Sequence, residues 1–366
     1  MKTLLVEPDF PIPSKSKNHS NFLPVGLLKI AAYHRHLRDR VELHRGNYPA
    51  LRYPDEIKIT SLFTYWSAYV WESVRYYKNL YPKAKIELGG IYASLMPEHA
   101  KQTGCDTVEP GLYRNGVAEN YIPAYDMVDV DYQIIHASRG CFRRCNFCGT
   151  WKVEPLVSFK KTIQPEIKKK KLIFYDNNLL ANPHIKNILG ELAEFRFPNR
   201  CTVECEGQSG LDGRLLTSDP GIAVLLKKAH FKNPRIAWDG PYLMWPQIKE
   251  QIFSLRTAGF SSDNIFVFML YNHRLSYDEM RAKLDACRRW GVRVIDCRFR
   301  PLNSIQDGYR PRAKGQKATD YFVHENWTDR QVRTFRRAVR RQNIAIMLGL
   351  PNGRYLDGIE EKYIQV

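Results

Sequence analysis

The chain has 366 residues, with 56 Lys plus Arg against 38 Asp plus Glu and a formal charge of +18. Its hydrophobic content of 44% argues for a sizeable core and against wholesale disorder. No apolar run reaches the roughly 18 residues that cross a bilayer, so no membrane role is expected, and the basic excess points to a polyanionic partner, most simply nucleic acid.

In chain order, "MKTLLVEPDF" opens with a short apolar run that Glu7 and Asp9 interrupt. It reads as a first strand, not a signal peptide, and a cytoplasmic location is expected. There the eight cysteines are better read as ligands or free thiols than as disulfides. Residues 1–112 then alternate strand-like "KTLLVEP", "IKITSLFT" and "AKIELGG" with helix-like "GLLKIAAYHRHLRD" and "YWSAYVWESVRYYKNLY". That rhythm predicts a doubly wound, Rossmann-like α/β domain. Residues 113–131 are polar, contain Pro123, and read as a connector.

From 132 to 302 the rhythm becomes regular. Six apolar strands are predicted: "YQIIHAS", "KLIFYDN", "CTVECEG", "PRIAWDG", "NIFVFML" and "VRVIDCRFRPL". Pro183, Pro220 and Pro246 suit first helical turns, Ser276 and Glu279 make a capping-box pattern, and Gly259 and Gly291 stand where helices should stop. Six βα repeats predict a barrel or an open fraction of one, a partial (β/α)6 barrel. Residues 303–366 form a basic C-terminal extension. A polar loop leads there to a helix capped by Thr328, with Val332, Phe335 and Val339 as its apolar stripe. Arg330, Arg333, Arg336, Arg337, Arg340 and Arg341 on that helix suit phosphate contact, or equally an acidic partner protein.

"SRGCFRRCNFCGTW", residues 138–151, carries Cys141, Cys145 and Cys148. A tetrahedral zinc site wants four ligands, usually in two pairs. Here three thiols cluster without a second Cys-x2-Cys, and His136 should lie inside the preceding strand. A [4Fe–4S] cluster accepts three cysteines and keeps one iron open for a small molecule. The loop begins at the carboxyl end of the first barrel strand, where sites of such folds gather. The flanking Arg139, Arg143, Arg144 and Asn146 do not look like core.

This spacing, Cys-x3-Cys-x-aromatic-Cys with Phe147 in the aromatic position, resembles the motif of the radical S-adenosylmethionine superfamily. The resemblance implies that Cys141, Cys145 and Cys148 hold the cluster and that S-adenosylmethionine chelates its open iron. One electron then cleaves the sulfonium to methionine and a 5′-deoxyadenosyl radical. The partner so implied is an electron donor such as flavodoxin or ferredoxin. Upstream, "LPVGLLKIAAYHR", "ITSLFTYW" and "ELGGIYASLMPEHA" resemble the cobalamin-binding domain of one branch of that superfamily. No histidine has the Asp-x-His-x-x-Gly context that ligates cobalamin, so cobalamin is not the favoured cofactor.

Side chains alternate along strands, and a polar face inside a buried parallel sheet is informative. If the polar faces point inward, the barrel mouth holds Asp176, Glu206, Asp239, Asp296, Arg298 and Arg300, suited to a zwitterion, ribose hydroxyls or a phosphate. The other reading of these residues is structural ion pairs at strand ends. The resemblance places Asp176, Asn177 and Asn178 where the superfamily contacts the S-adenosylmethionine amino group. Tyr271 and Asn272 end the fifth strand, in place to face the adenine or the substrate. Cys105, Cys201, Cys205, Cys287 and Cys297 show no second-cluster spacing and read as small core residues.

The expected function is a radical S-adenosylmethionine enzyme that methylates or methylthiolates a nucleic acid or nucleotide. The alternatives are a rearrangement or cyclisation of a small metabolite or peptide, and, in another class, a metal-stabilised nucleic-acid-binding protein without catalysis.

Overall fold

The computed structural model describes residues 1–12, 22–310 and 315–350; residues 311–314 of the basic loop and 351–366 of the C-terminal extension lie outside that description. The chain divides into two units. The first comprises Met1–Ile134, Arg139–Ser158 and Pro301–Gly308; the second comprises Ile135–Ser138, Phe159–Arg300 and the chain from Tyr309 onward.

The first unit is built on five parallel strands: β1 (Lys2–Glu7), β2 (Arg40–Arg45), β3 (Glu56–Ser61), β4 (Lys85–Gly90) and β5 (Thr107–Glu109). Their order, β2-β1-β3-β4-β5, is a doubly wound one. Helices α1 (Val25–His36), α2 (Ser67–Leu80), α3 (Ile91–Leu95) and α4 (Pro97–Lys101) make the crossovers. Alternation sends Leu4 and Val6 to the side of Val70, Val74 and Tyr77 of α2, and Leu5 to the side of Leu27 and Ala31 of α1. The sheet is thus covered on both faces, as parallel sheets are. Gly90 turns the chain out of β4 at φ +96°, and a Cβ there would collide with the Ser61 carbonyl. The Ser61 hydroxyl donates to Gly89 O at 2.7 Å and accepts from the Ala93 N–H at 3.0 Å, which fixes the start of α3.

The connector expected at 113–131 is two stretches of tight turns, Tyr113–Asn120 and Tyr125–Met127. Strand β6 (Tyr132–Ile135) carries the chain into the second unit. The short strands β7 (Ser138–Arg139) and β8 (Ser158–Phe159) pair where the chain leaves and re-enters that unit, and α5 (Thr150–Val153) lies between them. Strand and helix then alternate: β9 (Lys171–Phe174), α6 (Ile185–Glu194), β10 (Glu204–Gly207), α7 (Gly213–Ser218), α8 (Gly221–Lys228), β11 (Arg235–Ala237), α9 (Trp245–Thr257), β12 (Phe266–Tyr271), α10 (Tyr277–Arg289), β13 (Arg293–Arg298) and α11 (Asp329–Met347). The sheet orders are β10-β9-β6 and β11-β12-β13. Single parallel bridges add Phe231 alongside Cys205 of β10 and Leu211 alongside Ile236 of β11.

Local signals account for the helix ends. Pro246 sits in the first turn of α9, Pro220 caps α8, and Pro183 stands one residue before the cap of α6. Ser276 caps α10 by accepting the Glu279 N–H, but the Glu279 carboxylate accepts from the Tyr242 N–H at 2.7 Å instead of closing the box. Gly259 and Gly291 take positive φ just past α9 and α10. Thr328 and Gln331 form a full capping box on α11.

Two boundaries differ from the sequence expectation. Residues 139–158, which hold the three clustered cysteines, pack with the first unit and not with the strands that follow. The C-terminal extension is no separate appendage: Tyr321, Trp327, Val332, Phe335 and Val339 belong to the core of the second unit. The Asn343 amide accepts from Val294 N at 2.9 Å and donates to Val294 O at 2.7 Å, so α11 closes the free edge of β13.

Candidate cluster loop and strand-end site

The cysteine loop is organised from its backbone outward. Gly140 has φ +72°, and a Cβ there would fall 2.4 Å from the Leu156 carbonyl oxygen. Only glycine lets the 154–156 segment pack this close. The Glu154 carboxylate accepts from the Gly140 N–H at 2.8 Å and from the Arg139 guanidinium at 2.7 Å. The Cys145 carbonyl accepts from the Cys148 N–H and the Trp151 indole N–H, both at 3.1 Å. Peptide N–H groups of Arg143 and Thr150 point at Cys141 Sγ (3.4 Å) and Cys148 Sγ (3.5 Å). The Cys148 thiol in turn donates to the Thr150 hydroxyl at 3.2 Å. None of the three cysteines is in a disulfide and all are half-buried, as is Phe147 beside them.

Among the described residues, no three His, Cys, Asp or Glu side chains close on a single metal ion. Thiolates of a four-iron cluster each take a different iron and stand farther apart than the ligands of one zinc. Three cysteines outside any disulfide, N–H groups aimed at two of them, and a glycine that tolerates no side chain fit a thiolate-held cluster. His136 is buried directly after β6, its ring edge-on to Tyr175 at 6.5 Å.

A second group of polar residues gathers in the other unit, at the carboxyl ends of β9, β10 and β11. Asn178 Nδ2 stands 3.5 Å from Asp212 Oδ2, and Arg214 donates to both Asp212 oxygens at 2.7 and 3.2 Å. Asp239 lies two residues past β11 and is exposed; the surrounding protein raises its carboxyl above the usual range, while Lys283 and Arg214 draw it down. Asn178 is 5% exposed, and its Oδ1 has no hydrogen-bond partner. An orphaned buried acceptor next to the Asp212 carboxylate fits a ligand that brings N–H or O–H groups. Neither Asp212 nor Arg214 was singled out from the sequence. Their signal was an acid and an arginine two residues apart just beyond a strand end.

Other expected ligand residues are already engaged. Asp176 is 2% exposed and accepts from the Ser138 N–H (2.5 Å), the Ser138 hydroxyl (2.7 Å) and the Ala137 N–H (3.2 Å). It holds the strand end that leads to the cysteine loop instead of presenting a free carboxylate. Burial pushes its carboxyl up to about 6, against those three donors. Asn177 beside it is half-buried. Glu206 is buried in an ion pair with Arg235, whose guanidinium also donates to Gly207 O and Gln208 Oε1. Asn272 is fully buried at φ +57°. Its amide donates to Phe322 O at 2.9 Å and accepts from the His324 N–H at 3.0 Å. Tyr271 is covered by Trp327 and Phe335. Arg298 lies over the rings of Tyr309 and Tyr321 at 4.4 and 5.1 Å. Asp296 meets Arg336 of α11 at 3.3 Å, and Arg300 is half-buried. The reading as structural ion pairs holds for Glu206 and Asp296, and the chain after β13 covers Tyr271, Asn272 and Arg298.

Of the remaining cysteines, Cys205 and Cys287 are buried, and burial pushes both thiols up. Cys105 and Cys297 are half-buried, while Cys201 is exposed in the loop before β10, so the core reading fails for Cys201. A cleft of about 670 Å³ lies between α10 and α11. Its lining includes Ser262, Asp263 and Gly291, which precede β12 and β13, so it belongs to the amino-terminal side of those strands, away from Asp212 and Asp239. Comparison of the chain with models of known protein families gives no match, and comparison with curated proteins gives none.

Proposed function

We propose that this chain is a radical S-adenosylmethionine enzyme. On this reading β6 and β9–β13 with their helices are a partial (β/α)6 barrel, and the first unit is a relative of cobalamin-binding domains. The observation that carries it is the loop of Cys141, Cys145 and Cys148: three cysteines outside any disulfide at Cys-x3-Cys-x2-Cys spacing, two of them facing peptide N–H groups. When bound, a [4Fe–4S] cluster would supply the electron that cleaves S-adenosylmethionine to methionine and a hydrogen-abstracting 5′-deoxyadenosyl radical. The chain's own part is positional. Cys141, Cys145 and Cys148 are the thiolate ligands, and Glu154 fixes the loop backbone through the Gly140 N–H. Within the second unit, Asn178 and Asp239 offer acceptors to the amino or hydroxyl groups of a ligand bound there, and Arg214 offers a guanidinium to a carboxylate.

The favoured reaction is methylation or methylthiolation of a nucleic acid or nucleotide. The charge of +18 and the exposed Arg330, Arg337 and Arg340 of α11 support a polyanionic substrate. The test is anaerobic incubation of reconstituted protein with reductant and S-adenosylmethionine, followed by mass spectrometry for 5′-deoxyadenosine. We expect the product from wild type and none from Cys145→Ala. Colourless protein holding about one zinc per chain would sink the proposal.

A further inference from the structure

The turn that carries Asp239 is gripped by helix α10. Lys283 of α10 is fully buried, and its ammonium donates to the carbonyls of Trp238 at 2.6 Å and Gly240 at 3.0 Å, the residues on either side of Asp239. The same ammonium stands 5.0 Å over the buried Trp238 ring. One helical turn earlier on that face of α10, the Glu279 carboxylate accepts from the Tyr242 N–H. The Trp238 N–H donates to Phe268 O of β12 at 3.0 Å, and its indole N–H donates to Pro241 O at 3.1 Å. Register sets the side on which Asp239 emerges. Leu211, Ile236 and Val267 are level with one another and all belong to the core. Alternation turns Asp212 and Ala237 to the other side, returns Trp238 to the core, and brings exposed Asp239 out beside Ala237. Asp239 thus shares a side with Asp212, the neighbour of the orphaned Asn178 acceptor.

Two carbonyls at a strand end can be satisfied by a neutral donor, without the cost of burying a charge. Lys283 brings a charge nonetheless, and it meets carbonyls and an aromatic face there. Burial pulls its ammonium down to about 8, and Asp239 does most to oppose that. Burial raises the Asp239 carboxyl in turn, and Lys283 does most to draw it back. We propose that Lys283 is a positioning residue: it fixes the Trp238–Gly240 turn so that the Asp239 carboxylate meets an amino or hydroxyl group of the ligand. Lys283 itself touches no ligand and acts through Asp239. The inference rests on the proposed function, because it needs Asp239 as an acceptor for S-adenosylmethionine or the substrate beside it.

The experiment is a double-mutant cycle read by equilibrium dialysis of labelled S-adenosylmethionine against reconstituted, iron-replete protein without reductant. Wild type, Lys283→Met, Asp239→Asn and the double variant are compared, with iron content and thermal unfolding recorded for each. We expect the Kd to rise about tenfold in each single variant, and the double variant to be weaker than Asp239→Asn by no more than about twofold. A lysine that only supports the fold would act independently of Asp239, and the two losses would multiply to about a hundredfold. Multiplied losses would therefore overturn the proposal, as would an unchanged Kd in a folded, iron-replete Lys283→Met or Asp239→Asn. If Lys283→Met does not fold, the same cycle is run with Lys283→Gln, which keeps an N–H donor but no charge, and the same two outcomes decide it. Failure of the functional reading looks different: iron-replete wild type would bind no S-adenosylmethionine, and the positioning role would fall with it.

Discussion

Asp176 and Glu206 both sit at strand ends that sequence patterning marks as polar, and both are spoken for by neighbours in the fold. The Asp176 carboxyl is raised from 3.8 to about 6, with burial as the largest cause. A group with a raised folded pKa contributes stability that is complete below its unfolded value and lost as pH rises through its folded value. The stability of wild type relative to Asp176→Asn should therefore decline between pH 4 and 6, by on the order of 2–3 kcal/mol. Urea unfolding of the two proteins across that range measures it; a difference that does not vary with pH would contradict it. Glu206→Gln leaves Arg235 as a buried charge without its partner, which costs about 3–5 kcal/mol. Thermal unfolding should show that loss, while a variant that is stable but weak in S-adenosylmethionine binding would return Glu206 to the ligand site. Gly140→Ala should lower iron content after reconstitution, because its Cβ has no place beside the Leu156 carbonyl. Alternation along a strand shows which side chains share a face, but not what the rest of the chain lays over that face. That is why the pattern alone puts Asp176, Glu206 and Arg298 at an open mouth, and why it does not mark Asp212 and Arg214, which lie beyond a strand end.

At the scale of elements, the strands that were legible are those buried on both sides. β6, β9, β11 and β12 are short runs dominated by apolar residues, which is what burial between helices requires, whereas β3 (EIKITS), β10 (ECEG) and β13 (RVIDCR) mix charged residues among their buried ones. β2, "RVELHR", alternates charge with apolar residues, and β5 has three residues; both are edge strands, whose sequences need not be apolar. Helix α11 was legible in its cap and apolar stripe, but its charges were over-read. Arg333 pairs with Asp329, Arg336 with Asp296, and Arg341 is half-buried along the cleft beside α10, leaving Arg330, Arg337 and Arg340 as its exposed arginines. Three phosphate contacts give a log–log salt slope of about 2–3, where six would give about 4–5. A nucleic-acid titration at several salt concentrations, with wild type and Arg330→Gln/Arg337→Gln/Arg340→Gln, reads this slope. A slope near 5 would mean that Arg333 and Arg336 leave their carboxylates on binding.

For the whole molecule, the sequence marks a change of pattern near residue 302, yet the second unit does not end there. The apolar stripe of α11 and the aromatic residues before it fill the same core as the strands. Phe335 stands 5.0 Å from Tyr271 and Trp327 5.9 Å, and the Trp327 indole N–H donates to the carbonyls of His273 and Leu275 at 3.0 and 2.9 Å. A chain ended after Leu302 loses Tyr321, Trp327, Val332, Phe335 and Val339 from that core, along with the Asn343 amide that closes the edge of β13. At about 1.5–3 kcal/mol for each large side chain, the loss is roughly 10 kcal/mol, as much as a whole domain's typical stability. It also uncovers a parallel strand edge, a template for aggregation. The chain cut after Leu302 should therefore be insoluble, or bind a hydrophobic dye without cooperative unfolding. A chain cut after Leu350, which keeps every contact named above, should unfold cooperatively near the wild-type temperature. Soluble yield, dye binding and thermal unfolding of the two truncations decide the matter. A well-folded 1–302 fragment would show that the C-terminal segment is the appendage its composition suggests, and that its packing against β12 and β13 contributes little to the stability of the second unit.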